Sequence, residues 1–431
     1  MDAAEIAIVG AGVGGLVAAL SLSEAGFPVR VFESVPELKP LGVGINLLPH
    51  AVRELDELGL RVPLEAAGIA CGELAYYTKR GQRIWAEARG RQAGYRWPQI
   101  SIHRGVLQML LLEAARARIG GDRIHLGLHL ERFEAEPGRG VRATFSDRAP
   151  GAAPSARGSG VTRTVDARLL VAADGIHSTA RRSLYPGEGP PRWNGAVMWR
   201  GVAEAPPFLD GRTMVMSGHT SQKFVCYPIG TAGQRQILNF VAELRFDAGA
   251  LAEREDWSEP GRLEDFLPRF ESWRFDWLDV PALIRAAGAV YVYPMIDRDP
   301  LPRWSFGPVT LLGDAAHPMY PIGSNGASQA ILDARVLTGC LRHHAADPER
   351  GLARYDEIRR AATSEIVLAN RRQGPEAALQ LVEDRAPEGF ARVGDVVHED
   401  ELSAIAESYK RLAGFSVAEL NARASLATPT A

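Results

Sequence analysis

Glycines near the N-terminus are spaced as in a site that binds a dinucleotide. They form a G-x-G-x-x-G motif at residues 10–15, between an apolar run and a helix-like segment. The residues of the motif expected to contact the cofactor are Gly10, Gly12, Val13, Gly14 and Gly15. The first glycine of such a motif allows a tight turn, the second lets the backbone approach a pyrophosphate, and the third lets helix and strand pack closely. Glu33 lies near the expected spacing of about 20 residues for a carboxylate that binds a ribose hydroxyl. The motif predicts dinucleotide binding and leaves open whether the dinucleotide is FAD or NAD.

Two later apolar runs also end in carboxylates that could contact a cofactor. Residues 169–181 read LLVAADGIHSTAR, with Asp174 at the end of the run. Residues 309–318 read VTLLGDAAHP, with Asp314 in the equivalent place, and a glycine-containing segment follows at 321–327. A carboxylate at a strand end can accept hydrogen bonds from a ribityl chain, and N–H groups at a helix entrance can bind an electron-rich flavin edge. Three such turns in this order favour FAD.

The three motifs together resemble a known family of enzymes. Their order is similar to that of the class A flavoprotein monooxygenases, the para-hydroxybenzoate hydroxylase family, over residues 4–372. Four further segments resemble the phenazine-modifying branch of that family, namely 41–46, 101–105, 199–202 and 297–302. The resemblance implies FAD as cofactor, NADH or NADPH as a transiently bound electron donor, and O₂ as oxidant. In the family, a flavin hydroperoxide transfers OH to an aromatic carbon of a small substrate.

The same resemblance assigns roles to residues outside the glycine motif. It implies that Glu33 binds the adenosine ribose, that Arg104 contacts the ribityl-pyrophosphate region, and that the Leu130 backbone meets adenine. Val43 and Gly44 are expected beside the isoalloxazine ring. The residues expected along the ribityl chain and the flavin edge are Asp174, Asp314, Pro321, Gly323, Asn325, Gly326 and Ala327. In the family, the backbone of the proline at the position of Pro321 borders the oxygen-reacting face of the flavin. The sequence identifies no catalytic base.

Candidate substrate residues come from strand-like segments in the middle of the chain. They are Met198, Arg200, Met216 and Tyr227. Arg200 could meet a substrate carboxylate or form a structural ion pair, and Tyr227 could line a pocket or belong to the core. The expected substrate is a small aromatic compound, fused-ring or phenolic. A flavin-dependent oxidase and a non-hydroxylating FAD protein stay open as alternatives.

Hydrophobic periodicity predicts the elements that position these residues. Strands at 6–9 and 29–33 flank a helix at 14–25, a βαβ unit that implies a parallel sheet. Further helices are predicted at 49–58, 104–119, 327–341 and 352–371. A strand is predicted at 165–172, after a hairpin tip at 148–163. Four strands at 197–202, 213–216, 223–229 and 236–244 indicate a largely antiparallel sheet.

The predicted fold class is α/β, with a Rossmann-like FAD-binding domain and an inserted, mostly antiparallel substrate domain. We expect residues 1–75, 101–184 and 300–372 in the FAD-binding domain and residues 76–100 and 185–299 in the substrate domain. Residues 373–431 are expected to form a C-terminal helical segment.

Composition excludes several other classes of protein. The 431 residues are 46% hydrophobic and 23% charged, with a net charge of −3, so the chain has no general field that would attract nucleic acid. Three widely spaced cysteines and the absence of metal-ligand spacing argue against a disulfide framework and a metal site. Glycines interrupt the apolar stretch 6–22, which therefore does not predict a membrane span. We expect a cytoplasmic protein, monomer or homodimer.

Overall fold

A computed structural model describes residues 5–148, 161–246 and 260–428 of the chain. Residues 149–160, most of the predicted hairpin tip, lie outside these ranges, so that prediction stays untested. The strands of the described part are β1 Ile6–Val9, β2 Val29–Glu33, β3 Gly44–Leu47, β4 Ile69–Cys71, β5 Glu73–Tyr77, β6 Arg83–Ala88, β7 Gln99–His103, β8 Ile124–Leu126, β9 Leu128–Glu136, β10 Gly140–Asp147, β11 Thr162–Ala167, β12 Leu169–Ala172, β13 Arg192–Ala205, β14 Thr213–His219, β15 Gln222–Ala232, β16 Arg235–Arg245, β17 Arg274–Phe275, β18 Leu278–Asp279, β19 Val290–Asp297, β20 Ser305–Phe306 and β21 Val309–Leu311.

Helices connect these strands and cover the sheets. They are α1 Val13–Glu24, α2 Pro49–Glu57, α3 Arg61–Ala67, α4 Arg104–Ile119, α5 Thr179–Leu184, α6 Leu267–Phe270, α7 Val280–Arg285, α8 Gly326–His343, α9 Pro348–Arg371, α10 Ala377–Arg385, α11 Glu399–Leu412 and α12 Val417–Ala422. The helix predicted at 104–119 has the predicted bounds. The one predicted to begin at 352 begins at Pro348, because the Asp347 side chain caps it by accepting the Arg350 N–H at 3.3 Å.

The glycine motif joins β1, a strand of a six-stranded sheet, to α1. The strand order is β20-β21-β12-β1-β2-β8, and every pair is parallel except β20 with β21. All four residues of β1 are buried, as expected for a parallel sheet with both faces covered. α1 packs against α4 and α8 beside this sheet. The carboxyl ends of β1, β12 and β21 carry the three predicted motifs and therefore meet at one edge.

A seven-stranded sheet forms the second large layer, in the order β19-β13-β16-β15-β14-β5-β6. Its pairs are antiparallel apart from β14 with β5, which confirms the predicted α/β class with a mostly antiparallel second sheet. Alternate residues of its strands face opposite sides. Phe224, Cys226 and Phe240 belong to a core cluster on one side. Val225 and Tyr227 face the other side, which borders the candidate site.

The single strand predicted at 165–172 is wrong, because it is two strands in different sheets. β11 pairs antiparallel with β10 in a three-stranded sheet, whereas β12 pairs in parallel with β1. Arg168 separates them and donates its backbone N–H to the Glu5 carbonyl at 2.9 Å. An unbroken β-type run gives no indication of the partner that each half will find.

Candidate active site

Packing leaves no room for a Cβ at three of the four glycines after β1, and only Gly12 faces open space among the described residues. Gly10 has φ +103°, and a Cβ there would lie 2.3 Å from the Ala173 carbonyl oxygen. A Cβ on Gly15 would lie 1.9 Å from the Gly10 carbonyl oxygen. A Cβ on Gly12 would meet no described atom within 4 Å, and Gly12 lines the cavity described below. Free backbone at a helix start is suited to a phosphate group.

Two side chains fix this turn from opposite sides. Glu33 accepts the Ala11 N–H at 2.7 Å with one carboxylate oxygen and the Val35 N–H at 2.8 Å with the other. Gln108 on α4 donates its side-chain N–H to the Ala11 carbonyl at 2.8 Å. The sequence predicted Glu33 as a ribose ligand and missed Gln108, since no local pattern marks a contact between residues 97 positions apart.

The two strand-end carboxylates hold acceptor oxygens that lack protein partners. Asp174 Oδ2 accepts the N–H groups of Thr179 and Ala180 at 2.8 and 3.3 Å, whereas its buried Oδ1 has no partner among the described residues. Burial raises the pKa of Asp174 against the lowering effect of these hydrogen bonds. Asp314 is exposed, lines the cavity and makes no side-chain hydrogen bond within the described ranges. Of the two carboxylates, Asp314 offers its free acceptors to the cavity, where they fit the hydroxyl donors of a ribityl chain.

Arg104 begins α4 with a free side chain. The backbone N–H of Arg104 donates to the Val43 carbonyl at 2.9 Å. The His103 side chain caps the helix by accepting the Gly105 backbone N–H at 3.2 Å. A Cβ on Gly105 would lie 2.3 Å from the Pro40 carbonyl carbon, so the loop before β3 closely covers this helix start. The Arg104 guanidinium has no hydrogen-bond partner in the described part of the chain and lines the cavity. It is therefore available to an anionic group.

The segment before α8 presents backbone to the same cavity. Gly323 and Ser324 have φ values of +68° and +55°, and α8 begins at Gly326, where a Cβ would meet no described atom within 4 Å. Asn325 is fully buried and donates its side-chain N–H to the Tyr409 hydroxyl at 3.0 Å. Gly323 faces Tyr409, because a Cβ there would lie 2.4 Å from the Tyr409 hydroxyl oxygen. Gly323 therefore lines a small adjoining space rather than the main cavity.

A cavity of about 370 Å³ joins these motifs to the seven-stranded sheet. Its lining includes thirteen of the predicted site residues: Gly12, Val13, Gly14, Arg104, Asp314, Pro321, Asn325, Gly326, Ala327, Met198, Arg200, Met216 and Tyr227. The other predicted residues lie outside the lining: Gly10, Gly15, Glu33, Val43, Gly44, Leu130, Asp174 and Gly323. The buried Leu130 on β9 pairs with Phe145 of β10. The structure thus brings the cofactor candidates and the substrate candidates to one space.

Methionine is the main apolar residue of this cavity. Five of the seven methionines in the chain line it: Met198, Met214, Met216, Met295 and Met319. Thioethers are polarizable and make favourable contacts with aromatic rings. The sequence identified Met198 and Met216. It missed Met214, two residues before Met216 on β14, Met295 on β19, and Met319 in the segment after β21.

Arg200 and Tyr227 converge on one backbone carbonyl. Both donate to the Gly44 oxygen, at 2.6 and 2.8 Å, while the Gly44 N–H donates to Asn239 Oδ1 at 2.7 Å. The Arg200 guanidinium lies over the Tyr293 ring, 5.8 Å from its centroid, and its buried Nε has no partner among the described residues. The ion pair considered for Arg200 is not present in the described part. Both side chains line the cavity and position the β3 end beside it.

A buried ionic cluster in the cavity wall was missed by sequence analysis. Lys223 contacts Glu243 at 2.9 Å and also contacts Glu376, and all three residues are at most 8% exposed. Burial lowers the pKa of Lys223, but the two carboxylates outweigh it and raise the pKa above its usual range. The signals in the sequence were Lys223 at the start of one apolar strand segment and Glu243 near the end of another. Glu376 gave none, because it reaches the sheet from the segment that follows α9.

Comparisons with known proteins show which family this chain belongs to. A family model described as an FAD binding domain matches residues 3–370. The phenazine 1,6-dicarboxylic acid hydroxylase PhzS of Lysobacter antibioticus is 42% identical over 413 residues, which cover 95% of this chain and 97% of that protein. The 3-amino-4-hydroxybenzoate 2-monooxygenase of Streptomyces cremeus is 32% identical over 383 residues, covering 86% of this chain and 87% of that protein. The structure of HpxO from Klebsiella pneumoniae, complexed with FAD and uric acid, matches with a TM-score of 0.70 at 24% identity, covering 95% of this chain and 92% of that chain.

A Rossmann-like sheet with three cofactor motifs at one edge, facing an antiparallel sheet, defines a flavin-dependent oxidoreductase. The chain belongs to the FAD-binding-domain family. The predictions of an FAD-dependent aromatic monooxygenase, of FAD as its cofactor and of a resemblance to phenazine-modifying members are confirmed. Within the described ranges, no helix combines the length and apolar character that crossing a membrane would require.

Proposed function

We propose that the protein hydroxylates a flat, fused-ring aromatic compound with NADH or NADPH as electron donor and one oxygen atom of O₂. The observation that carries this proposal is the cavity, walled by five methionines, that opens directly onto the three cofactor motifs. A planar ring fits between a polarizable wall and a flavin edge. Two of the relatives are named for hydroxylation of phenazine and aminohydroxybenzoate compounds, which supports a phenazine-like or phenolic substrate.

The chain's own residues hold the cofactor at one end of the cavity. Bound FAD would accept hydride from NAD(P)H and activate O₂ for transfer to the ring. The unobstructed backbone at Gly12 and the N-terminus of α1 would bind the pyrophosphate. The positively charged Arg104 side chain would neutralise part of its negative charge. Asp314 would accept hydrogen bonds from the ribityl chain, and the N-terminus of α8 would favour negative charge at the pyrimidine edge.

The sheet side of the cavity would orient the substrate and exclude water. Met198 and Met216 line the cavity from the seven-stranded sheet, and Pro321 would border the oxygen-reacting side of the flavin. Arg200 and Tyr227 bond to Gly44, so they keep the β3 backbone in place beside the ring. A water-excluding wall protects an oxygen-transfer reaction from loss of the oxidant to solvent.

Isotope labelling tests the proposed function. Anaerobic reduction by NADH and by NADPH would first be screened against phenazines, quinolones and hydroxybenzoates for ligands that accelerate it. With ¹⁸O₂, we expect one labelled atom in the product of an accelerating ligand and the other in water. Label found wholly in hydrogen peroxide with every such ligand would show an oxidase instead, and absence of any turnover would show a non-hydroxylating FAD protein.

The division of the chain into domains is part of this proposal. Strands β5 and β6 join β13–β16 and β19 in one sheet, which supports assigning residues 76–100 and 185–299 to the substrate domain, while β5 itself begins earlier, at Glu73. The remaining parts up to residue 372 would bind FAD, and residues 373–431 would form the C-terminal segment. Cytoplasmic location, and a monomer or homodimer as the oligomeric state, stay predictions.

A further inference from the structure

The Lys223–Glu243–Glu376 cluster lies near one end of the inner strands β15 and β16, on the cavity-facing side of the sheet. Lys223 on β15 and Glu243 on β16 are directly opposite each other in the antiparallel ladder. Met198 on β13 lies opposite Glu243 on its other side. Glu376 completes the cluster from the short helical turn at Gly374–Glu376. All three ionisable side chains therefore line the space proposed for the aromatic ring.

The charges of the cluster do not balance. One ammonium faces two carboxylates, so the fully ionised cluster carries one negative charge, and one added proton makes it neutral. Burial, with the neighbouring Glu376 carboxylate, raises the pKa of Glu243 against the lowering effect of Lys223. Buried ion pairs seldom add stability over apolar residues of similar volume. A cluster that only joined Glu376 to the sheet would need one carboxylate.

We propose that this cluster is the acid–base group of the substrate cavity, and that it takes the proton from a ring hydroxyl of the aromatic substrate. This inference rests on the proposed function. The substrate O–H bond breaks, a carboxylate O–H bond forms on Glu243 or Glu376, and the ring oxygen keeps the electron pair. The proton returns to an oxygen of the product before release, so the overall use of O₂, NAD(P)H and one solvent proton is unchanged.

An anionic ring is more electron-rich and accepts electrophilic oxygen more readily. Deprotonation by a buried group also keeps the proton within the cavity wall instead of releasing it to solvent. Acid–base assistance of this kind contributes about 10²- to 10⁴-fold to a rate. The inference therefore gives the substrate class one more feature, a hydroxyl on the ring.

Other ionisable groups face the cluster from every side. Tyr76 on β5 and Tyr409 on α11 interact with Glu376, and Arg245 interacts with Glu243. Burial raises the pKa of both tyrosines above the usual range, so they stay protonated throughout the range of the test. Arg200 lines the same cavity but donates to Gly44 rather than to either carboxylate. The proton exchange therefore falls to the two glutamates.

The first test uses the wild-type holoenzyme and a coloured phenol. 2-Hydroxyphenazine would be titrated with the enzyme at a pH below the pKa of the free probe, with a pH indicator in weak buffer. We expect the bound probe to show the absorption of its phenolate while no proton is released, because the cluster holds it. Binding of the neutral phenol, release of one proton per site, or failure of every hydroxylated phenazine and quinoline to bind would overturn the inference.

The second test uses Glu243→Gln and Glu376→Gln separately. Each leaves one lysine–carboxylate pair with no second carboxylate to take the proton. We expect both to bind the probe as the neutral phenol and to lose about 10²-fold or more in kcat, with the loss decreasing as pH rises toward the pKa of the substrate. Either variant alone suffices if the other fails to fold.

Glu383→Gln is the matched control. Glu383 on α10 pairs with Lys79 and so also joins the C-terminal segment to the sheet, but it lies outside the cavity. We expect the Glu383→Gln enzyme to bind the probe as its phenolate, as the wild type does. Probe ionisation and pH profiles unchanged in both cluster variants, with ¹⁸O still entering the product, would overturn this inference alone. Loss of product labelling in the wild type would instead overturn the proposed function.

Discussion

At the residue scale, packing separates side chains that shape the site from those free to bind. Gly10 and Gly15 have no room for a Cβ, whereas Gly12 faces open space. Glu33 is occupied by backbone N–H groups, whereas Asp314 has no partner among the described residues. Substituting a residue whose groups are already engaged by the protein should therefore change the fold. Substituting a residue that faces the cavity without a protein partner should change ligand binding.

Asp314→Ala is expected to weaken FAD binding without unfolding the chain. Loss of a hydrogen bond to a charged group costs about 1.5–3 kcal/mol, or ten- to over a hundred-fold in affinity. Flavin fluorescence during dialysis and thermal unfolding of the apoprotein would measure the two effects. Asp276→Ala, at an exposed position outside the cavity, is the control and should retain flavin. A fully loaded Asp314→Ala protein would contradict the assignment.

Two glycine substitutions should separate folding from binding. Gly15→Ala places a Cβ against the Gly10 carbonyl and should destabilise even the apoprotein by about 1–3 kcal/mol. Gly12→Ala should leave apoprotein stability near wild type and lower FAD affinity, because its Cβ would enter the space proposed for pyrophosphate. Urea unfolding of the apoproteins and FAD titration measure the contrast. Equal loss of apoprotein stability in both would contradict it.

At the element scale, α8 fixes the turn that follows β21. Asp333 on α8 accepts the Gly313 N–H at 3.0 Å, contacts His317 Nε2 at 2.6 Å and pairs with Arg359 of α9 at 2.7 Å. Burial alone would raise the pKa of Asp333, but His317 and Arg359 outweigh it and lower the pKa to about 2. The ionised carboxylate therefore holds three elements in register behind Asp314.

Asp333→Asn should destabilise the fold and change its dependence on pH. Removing one partner of a buried ion pair costs about 3–5 kcal/mol. Because the folded-state pKa is depressed, the ionised group stabilises the protein above the unfolded pKa of about 3.9, and this stability is lost as pH falls toward 2. Unfolding free energies of the apoprotein between pH 6 and 2.5 should show that component in wild type. The same pH slope in Asp333→Asn would argue against this role.

At the scale of the whole molecule, the C-terminal segment supports the cavity. Tyr409 on α11 accepts from Asn325, and its hydroxyl lies 2.8 Å from Asn370 Oδ1 and 3.2 Å from the Ile322 carbonyl. Glu376 brings the same segment to the substrate sheet. Residues beyond α9 thus contact both the cofactor side and the substrate side of one cavity.

Tyr409→Phe should loosen the segment before α8. Unsatisfied buried partners cost about 1–3 kcal/mol, so both thermal stability and FAD affinity should fall. Tyr95→Phe is the control, because Tyr95 donates to the Phe415 carbonyl at 2.6 Å, away from the cavity. It should lose stability and keep FAD affinity. Equal FAD affinity in the two variants, measured by titration of the apoproteins, would contradict a supporting role for Tyr409.

The sequence by itself determined the βαβ unit, the three cofactor motifs and the helix at 104–119, because glycine turns, strand-end carboxylates and apolar periodicity are local properties of the chain. Tertiary structure decided which strand partners the two halves of 165–172 found and which methionines reached the cavity. It also decided that Lys223, Glu243 and Glu376 meet. Those contacts join residues far apart in sequence, and their energies depend on burial and on opposing charges that exist only once the sheets and the C-terminal segment have packed together.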